Sequence, residues 1–142
     1  IEEIGLKTLR ECFGYRLVSN SVERVGDHAA LMAKNVLDIE SPISEDPMEM
    51  LVEINSLAES ILKKSIDSLL EEDYDSAEEV IGKLDKVHQL ENEMNHYLAE
   101  EKPKEAIRIR LILESIRRIA EYGSDIAEIV LNLTVVENNY SF

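Results

Sequence analysis

The sequence has no tryptophan, one cysteine, three prolines and five glycines in 142 residues. A β-sandwich or barrel of that length needs more turn residues and more aromatics, so the scarcity argues for an α-rich chain. The lone cysteine, Cys12, excludes an intramolecular disulfide and fits a reducing compartment such as the cytoplasm. By itself it reads as a small apolar helix residue. No apolar run approaches the ~20 residues of a membrane span, and no signal peptide is visible. Basic residues are also few: 15 Lys and Arg against 30 Asp and Glu give a formal net charge of −15. Such a chain repels nucleic-acid phosphates and anionic membrane surfaces, so neither nucleic-acid binding nor membrane insertion is expected of it. A Gly-rich phosphate loop, a Ser-His-Asp set and a Cys-x-x-Cys pair are missing too, which leaves no sequence basis for an enzyme. The chain begins at Ile1 rather than Met, as a mature product or part of something longer would.

What is present is apolar spacing of helical period. Val18, Val22, Val25, Ala29, Met32, Val36 and Ile39 follow a 4-3-4-3-4-3 spacing, one stripe on a helix expected over 4–39. Gly14 is a candidate bend in it. Residues 40–46 read as a loop, with Pro42 stopping the first helix and Asp46-Pro47 opening a second that runs to about Leu70. The acidic turn 71–75 leads into a third helix over 76–100, close enough to force antiparallel neighbours. Pro103 punctuates again, and Ile112, Ile116, Ile119, Gly123, Ile126, Val130 and Leu133 repeat the 4-3 spacing in a last helix over 104–135. The fold expected is all-α, an antiparallel bundle of four long helices over 1–136 with a frayed tail over 137–142.

The first and last helices superpose at an offset of 94 residues. Arg16-Leu17 falls on Arg110-Leu111, Ser21 on Ser115, Arg24 on Arg118, Ala33 on Ala127 and Val36-Leu37 on Val130-Leu131. Unrelated bundle helices share an apolar stripe but have no reason to share polar positions, so this is an internal repeat. Ala29 and Gly123, small residues at matching positions, mark where the two repeat helices are expected to approach closely. Arg24 and Arg118 are expected to share a role, pairing with a carboxylate on a neighbouring helix.

The chemistry centres on Glu23 and Asp27, one turn apart on the same face. Adjacent carboxylates repel by a few tenths of a kcal/mol, roughly, and a cation or a facing arginine removes that cost. Oxygen ligands suit Mg²⁺, Ca²⁺ or iron. In the second copy Arg117 takes the place of Glu23, while Glu121 with Asp125 restores an acidic pair one step along, and Glu128 follows. On spacing alone, a solvated acidic face is the simpler reading. Asp85-x-x-His88 and Glu93-x-x-His96 look like half of a di-iron motif but lie on one helix and on different faces, so surface polarity is expected. His28 is expected to pack or hydrogen-bond. Arg110, Arg117 and Arg118, close to one flank of the last helix, are expected to pair with Glu114 and Glu121 within it.

The run ERVGDHA from Glu23 to Ala29, with RRIAEYGSDIAEI from Arg117 to Ile129, resembles the paired motifs of the PhoU family of phosphate-uptake regulators. The first copy fits the family pattern of Glu-Arg, Ile or Val, a small residue and Asp; the second departs at Arg117 and Glu121. The family's members carry two three-helix copies, and this chain has room for one motif helix and one full copy. That shape resembles an archaeal-type member lacking its N-terminal part. The resemblance implies a cytoplasmic, non-enzymatic regulator that mediates between a phosphate transporter and a sensor kinase. It also implies a divalent metal or iron at the acidic motifs, which here means Glu23, Asp27, Glu121 and Asp125. Apolar surface left over on the first helix suggests a homodimer.

Overall fold

The computed structural model describes the backbone of residues 8–139 and the side chains of 8–133. Four helices account for nearly all of it: α1 (Leu9–Leu37), α2 (Glu45–Glu71), α3 (Tyr74–Leu98) and α4 (Pro103–Asn139). α1 starts at Leu9 rather than at 4, because Thr8 is its N-cap: extended, with a side chain that accepts from Glu11 N at 3.1 Å. Such a cap contributes about 1 kcal/mol. Residues 4–7 of the expected helix lie outside the described residues, as do 140–142 of the expected frayed tail. The rest of that tail, 137–139, is helical backbone. Ser44, not Asp46, is the residue before α2, and Pro47 sits in the first turn, where a missing N–H is harmless. The α2–α3 turn closes with Glu72 in the left-handed region, φ 53°, and Asp73 capping α3 through Ser76 N at 3.2 Å.

α2, α3 and α4 pack mutually as a three-helix bundle. Lys64 near the end of α2 meets Glu79 near the start of α3 at 2.9 Å across their short turn. Glu91 with Arg117 and His88 with Glu121, at 3.3 and 3.5 Å, run in opposite order along α3 and α4, so both helix pairs are antiparallel. The core holds Ile54 and Ile61 from α2, Val80, Val87 and Met94 from α3, and Ile109 and Ile116 from α4, all buried. Each such side chain is worth roughly 1.5–3 kcal/mol against exposure. Among the described residues, α1 packs on α4 and on no other helix. It too runs antiparallel to α4, with Gly14 beside Leu133 at one end and Asn35 beside Arg108 at the other.

The buried line on α1 keeps Val18, Val25 and Met32 of the expected apolar stripe but is rotated away from its other residues. Gly14, Val18, Ser21 and Asn35 are buried, and Val25, His28 and Met32 are half-buried, again at 4-3 spacing. Of the expected stripe, Val22 is 46% and Val36 50% exposed, and Ala29 is exposed as well. One helical neighbour covers only a narrow strip, so the apolar residues on the flank of that strip stay in solvent. Gly14 is no bend: a Cβ there would stand 3.3 Å from Leu133 Cδ1, so the glycine admits a close neighbour. Ala29 and Gly123 do not mark the approach of the repeat helices either. Gly123 faces α2, with a virtual Cβ only 3.1 Å from Leu62 Cα.

Candidate functional site

The repeat helices meet through matching faces. Val18, Ser21, Val25, His28 and Met32 on α1 correspond at offset 94 to Ile112, Ser115, Ile119, Tyr122 and Ile126 on α4, all buried or half-buried. The seam is therefore close to self-complementary, as an isologous contact is. At its middle the His28 and Tyr122 rings lie 6.0 Å apart, and His28 Nδ1 is buried without a partner among the described residues. The expected packing role of His28 is what the structure displays.

A cavity of about 620 Å³ opens at one end of this seam. From α1 it is lined by Leu17, Asn20, Ser21, Glu23 and Arg24. From α4 come Tyr122, Asp125, Glu128, Ile129 and Asn132. Of the four residues expected to hold a metal, the cavity brings together Glu23 and Asp125, one from each helix. Asp27 lies off it and pairs with Arg24 at 3.5 Å on the solvent side of α1. Glu121 is taken up in a network of its own. Arg117 donates to its Oε1 at 2.9 Å, Arg118 to its Oε2 at 2.7 Å, and His88 Nε2 is 3.5 Å away on α3. Arg24–Asp27 and Arg118–Glu121 are the same i,i+3 pair in the two copies, each within one helix rather than between neighbours.

The electrostatics follow from these placements. Burial pushes the Glu121 carboxyl up, but hydrogen bonds from Arg118 and Arg117 outweigh it and hold the group below the ordinary glutamate value. Asp125 has no such donors; burial, with the charge of Glu121 adding to it, lifts its carboxyl above the ordinary aspartate value. Asp125 is therefore poised to gain from a positive charge. Among the described residues, no group of three or more His, Cys, Asp or Glu side chains is arranged to hold a metal ion. As a donor set, the four expected ligands do not converge: two face the cavity and two are paired with arginine.

The cavity adds Glu128, which follows the second acidic pair in sequence, and residues that motif reasoning passes over: Asn20, Ser21 and Asn132. Glu128 was legible in principle, three residues after Asp125 and on its face. Ser21 carried a different signal, identity with Ser115 in the other copy. A second concavity, about 560 Å³ and almost wholly apolar, lies where α1 and α2 diverge over α4. Met32, Val36, Ile39, Met48 and Leu51 form its walls, and Ile112 and Ile116 its floor.

Residues 51–130, more than half of the chain, match the PhoU domain family. The chain belongs to the PhoU family. The matched stretch covers most of α2, all of α3 and α4 as far as Val130, so one PhoU domain coincides with the three-helix bundle and α1 stands outside it. The chain is also similar to a phosphate-specific transport system accessory protein PhoU homolog of Clostridium acetobutylicum, 25% identical over 138 residues. That alignment takes in 93% of this chain and 63% of the relative, so the PhoU chain described here spans less than two thirds of the relative's length. No solved structure matches it. Among the described residues, no helix is long and apolar enough to cross a membrane.

Proposed function

We propose that this PhoU-domain chain is a non-enzymatic, cytoplasmic regulator of phosphate uptake that works by binding other proteins, components of a phosphate transporter or of a sensor kinase. The observation that carries this reading is the outer face of α1. Tyr15, Ser19, Val22, Gly26, Ala29, Ala33 and Val36 are all exposed, whereas their repeat counterparts on α4 are all buried against α2 and α3. A face built to the same pattern as a packed one, with small residues that admit a close neighbour, is suited to receive helices. The apolar groove beside it extends that surface. A second copy of the chain is one occupant, which would make the protein a homodimer.

The test is co-purification with the transporter ATPase subunit and the sensor kinase at low salt, alongside a phosphate-starvation reporter in cells lacking their own PhoU homolog. Association that Val22→Glu abolishes, with reporter control restored only by the parent chain, is the expected result. Neither association nor reporter control would overturn the reading. Light scattering of the purified chain decides the dimer: a monomeric mass at high concentration removes it.

A resident divalent metal or iron is a second reading, favoured by Glu23 and Asp125 facing one cavity. Elemental analysis of chain purified without chelator tests it. Metal in stoichiometric amount, lost in Glu23→Gln, supports it; a metal-free protein removes it.

A further inference from the structure

The two ends of the α1–α4 seam are related by the repeat and chemically unlike. At the end away from the cavity, Arg108 of α4 reaches α1, donating to Asn35 Oδ1 at 3.2 Å and lying 3.4 Å from Asp38 Oδ2. A cation of the chain itself thus sits between the helices there. At the cavity end the repeat puts Gly14 in the position of Arg108, and Ile129 and Asn132 in those of Asn35 and Asp38. Ile129 and Asn132 line the cavity. Arg24, the one basic residue in its lining, is drawn to Asp27 on its own helix.

The charge at the cavity end is inverted. Glu23, Asp125 and Glu128 line the cavity, while their counterparts at the other end are Arg117, Leu31 and Lys34. The acidity is therefore local to one end of the seam rather than a property of the repeat. Ser21 is an independent mark. It is 8% exposed, lines the cavity, and its hydroxyl has no hydrogen-bond partner among the described residues. The buried α2 serines behave otherwise, Ser65 donating to Ile61 O at 2.7 Å and Ser68 to Ser65 O at 2.8 Å. The Ser21 oxygen is accessible from the cavity, so a guest seated there can reach it.

We propose that the cavity receives the cationic side chain, arginine foremost, of a partner protein, held between Glu23 on α1 and Asp125 and Glu128 on α4. A guanidinium has five donors in a planar fork, which suits carboxylates on facing helices together with the Ser21, Asn20 and Asn132 oxygens. An inorganic anion such as phosphate meets net negative charge there. Among the described residues no set of three carboxylate, histidine or cysteine ligands converges there to hold a bare metal ion. The raised Asp125 carboxyl gains from the arriving charge.

The proposal rests on the partner-binding reading, yet direct titration separates the two: peptide binding can fail while transporter components still associate, and the reverse. The probe is a fluorescein-labelled nonapeptide with three arginines, compared with the same peptide carrying citrulline, which keeps shape and loses charge. The arginine peptide is expected to bind at least tenfold more tightly than the citrulline one. Asp125→Asn with Glu128→Gln is expected to weaken it tenfold or more, and Glu23→Gln on the opposite helix threefold or more. Glu59→Gln with Glu78→Gln, two exposed charges elsewhere, should change it less than twofold. Equal loss from the cavity and control pairs would overturn the proposal in favour of general attraction to an acidic chain. So would displacement by MgCl₂ well beyond that by NaCl at matched ionic strength, which would make the cavity a metal site.

Discussion

α1 and α4 carry the same repeat and present the same face to each other, yet their opposite faces differ in what covers them. On α4, Ile109, Leu113, Ile116, Ala120, Gly123, Ala127 and Val130 are buried by α2 and α3. On α1 the seven matching residues are in solvent. The residue types are similar, so burial here is decided by neighbours rather than by the helix itself. The largest test sets Ile116→Ala against Val22→Ala, matching positions in the two copies. Ile116 is 2% exposed, and its truncation leaves a cavity worth about 2–5 kcal/mol. Val22 is 46% exposed, and its truncation should cost less than about 0.5 kcal/mol. Urea titrations of both variants give the difference. A cost for Val22→Ala near that of Ile116→Ala would mean that α1 is covered in solution, by a second copy or another chain.

That contrast also explains what the sequence could tell. The α2–α3–α4 bundle was readable because apolar residues recur at helical spacing on each of its helices and neighbours bury them: Leu51, Ile54, Ala58 and Ile61, spaced 3-4-3, all point inward. α1 was misread in rotation. Half of its apolar stripe, Val18, Val25 and Met32, does face the one neighbour present, but the rest of the buried line is Ser21, His28 and Asn35, while Val22, Ala29 and Val36 stay in solvent. Periodicity reports how many apolar faces a helix has, not which face is occupied. The site was half legible for a related reason. Glu23 and Asp125 were readable as members of acidic pairs, but the cavity takes one from each pair, a cross-helix grouping that spacing along a helix cannot show.

A second contrast concerns Gly123 and its counterpart Ala29. A methyl on Gly123 would press on the Leu62 backbone at 3.1–3.2 Å, where the neighbour cannot swing aside. Overpacking of this kind costs about 1–3 kcal/mol, and the helix preference for Ala over Gly returns ~1. Gly123→Ala should therefore be destabilising on balance by up to about 2 kcal/mol. Ala29→Gly, on the exposed side of α1, should lose only the propensity difference of ~1 kcal/mol. A stabilised Gly123→Ala would show that the Leu62 backbone gives way to the added methyl.

The acidic residues give a smaller, pH-dependent contrast. Glu121 sits below its ordinary value because Arg118 and Arg117 donate to it, so it stabilises the fold above that value, and the stability is lost as pH falls through its folded value. Glu121→Gln should cost about 1–2 kcal/mol at pH 7 and progressively less under acid. Asp125 has the opposite sign. Its raised value means that ionisation opposes folding, so the stability present at low pH is lost as pH rises through the folded value. Asp125→Asn should be neutral or stabilising at pH 7. Thermal unfolding across pH 3–8 separates the two, and a Glu121→Gln deficit that grows under acid would contradict the assigned pairing.

The smallest expected effect is at Gly26, counterpart of the buried Ala120. No atom lies within 4 Å of a Cβ built on Gly26, so Gly26→Ala adds a methyl to open space. In a helix interior that substitution should stabilise by up to ~1 kcal/mol, raising the unfolding midpoint by about 4 °C. If the outer face of α1 receives a partner helix, the same methyl stands where the close approach would occur. Stability of the free chain would then rise while association with the partner weakens. Both rising together would place the docking surface elsewhere, on the apolar groove between α1 and α2, and the comparison between the two repeat helices would lose its functional meaning while keeping its structural one.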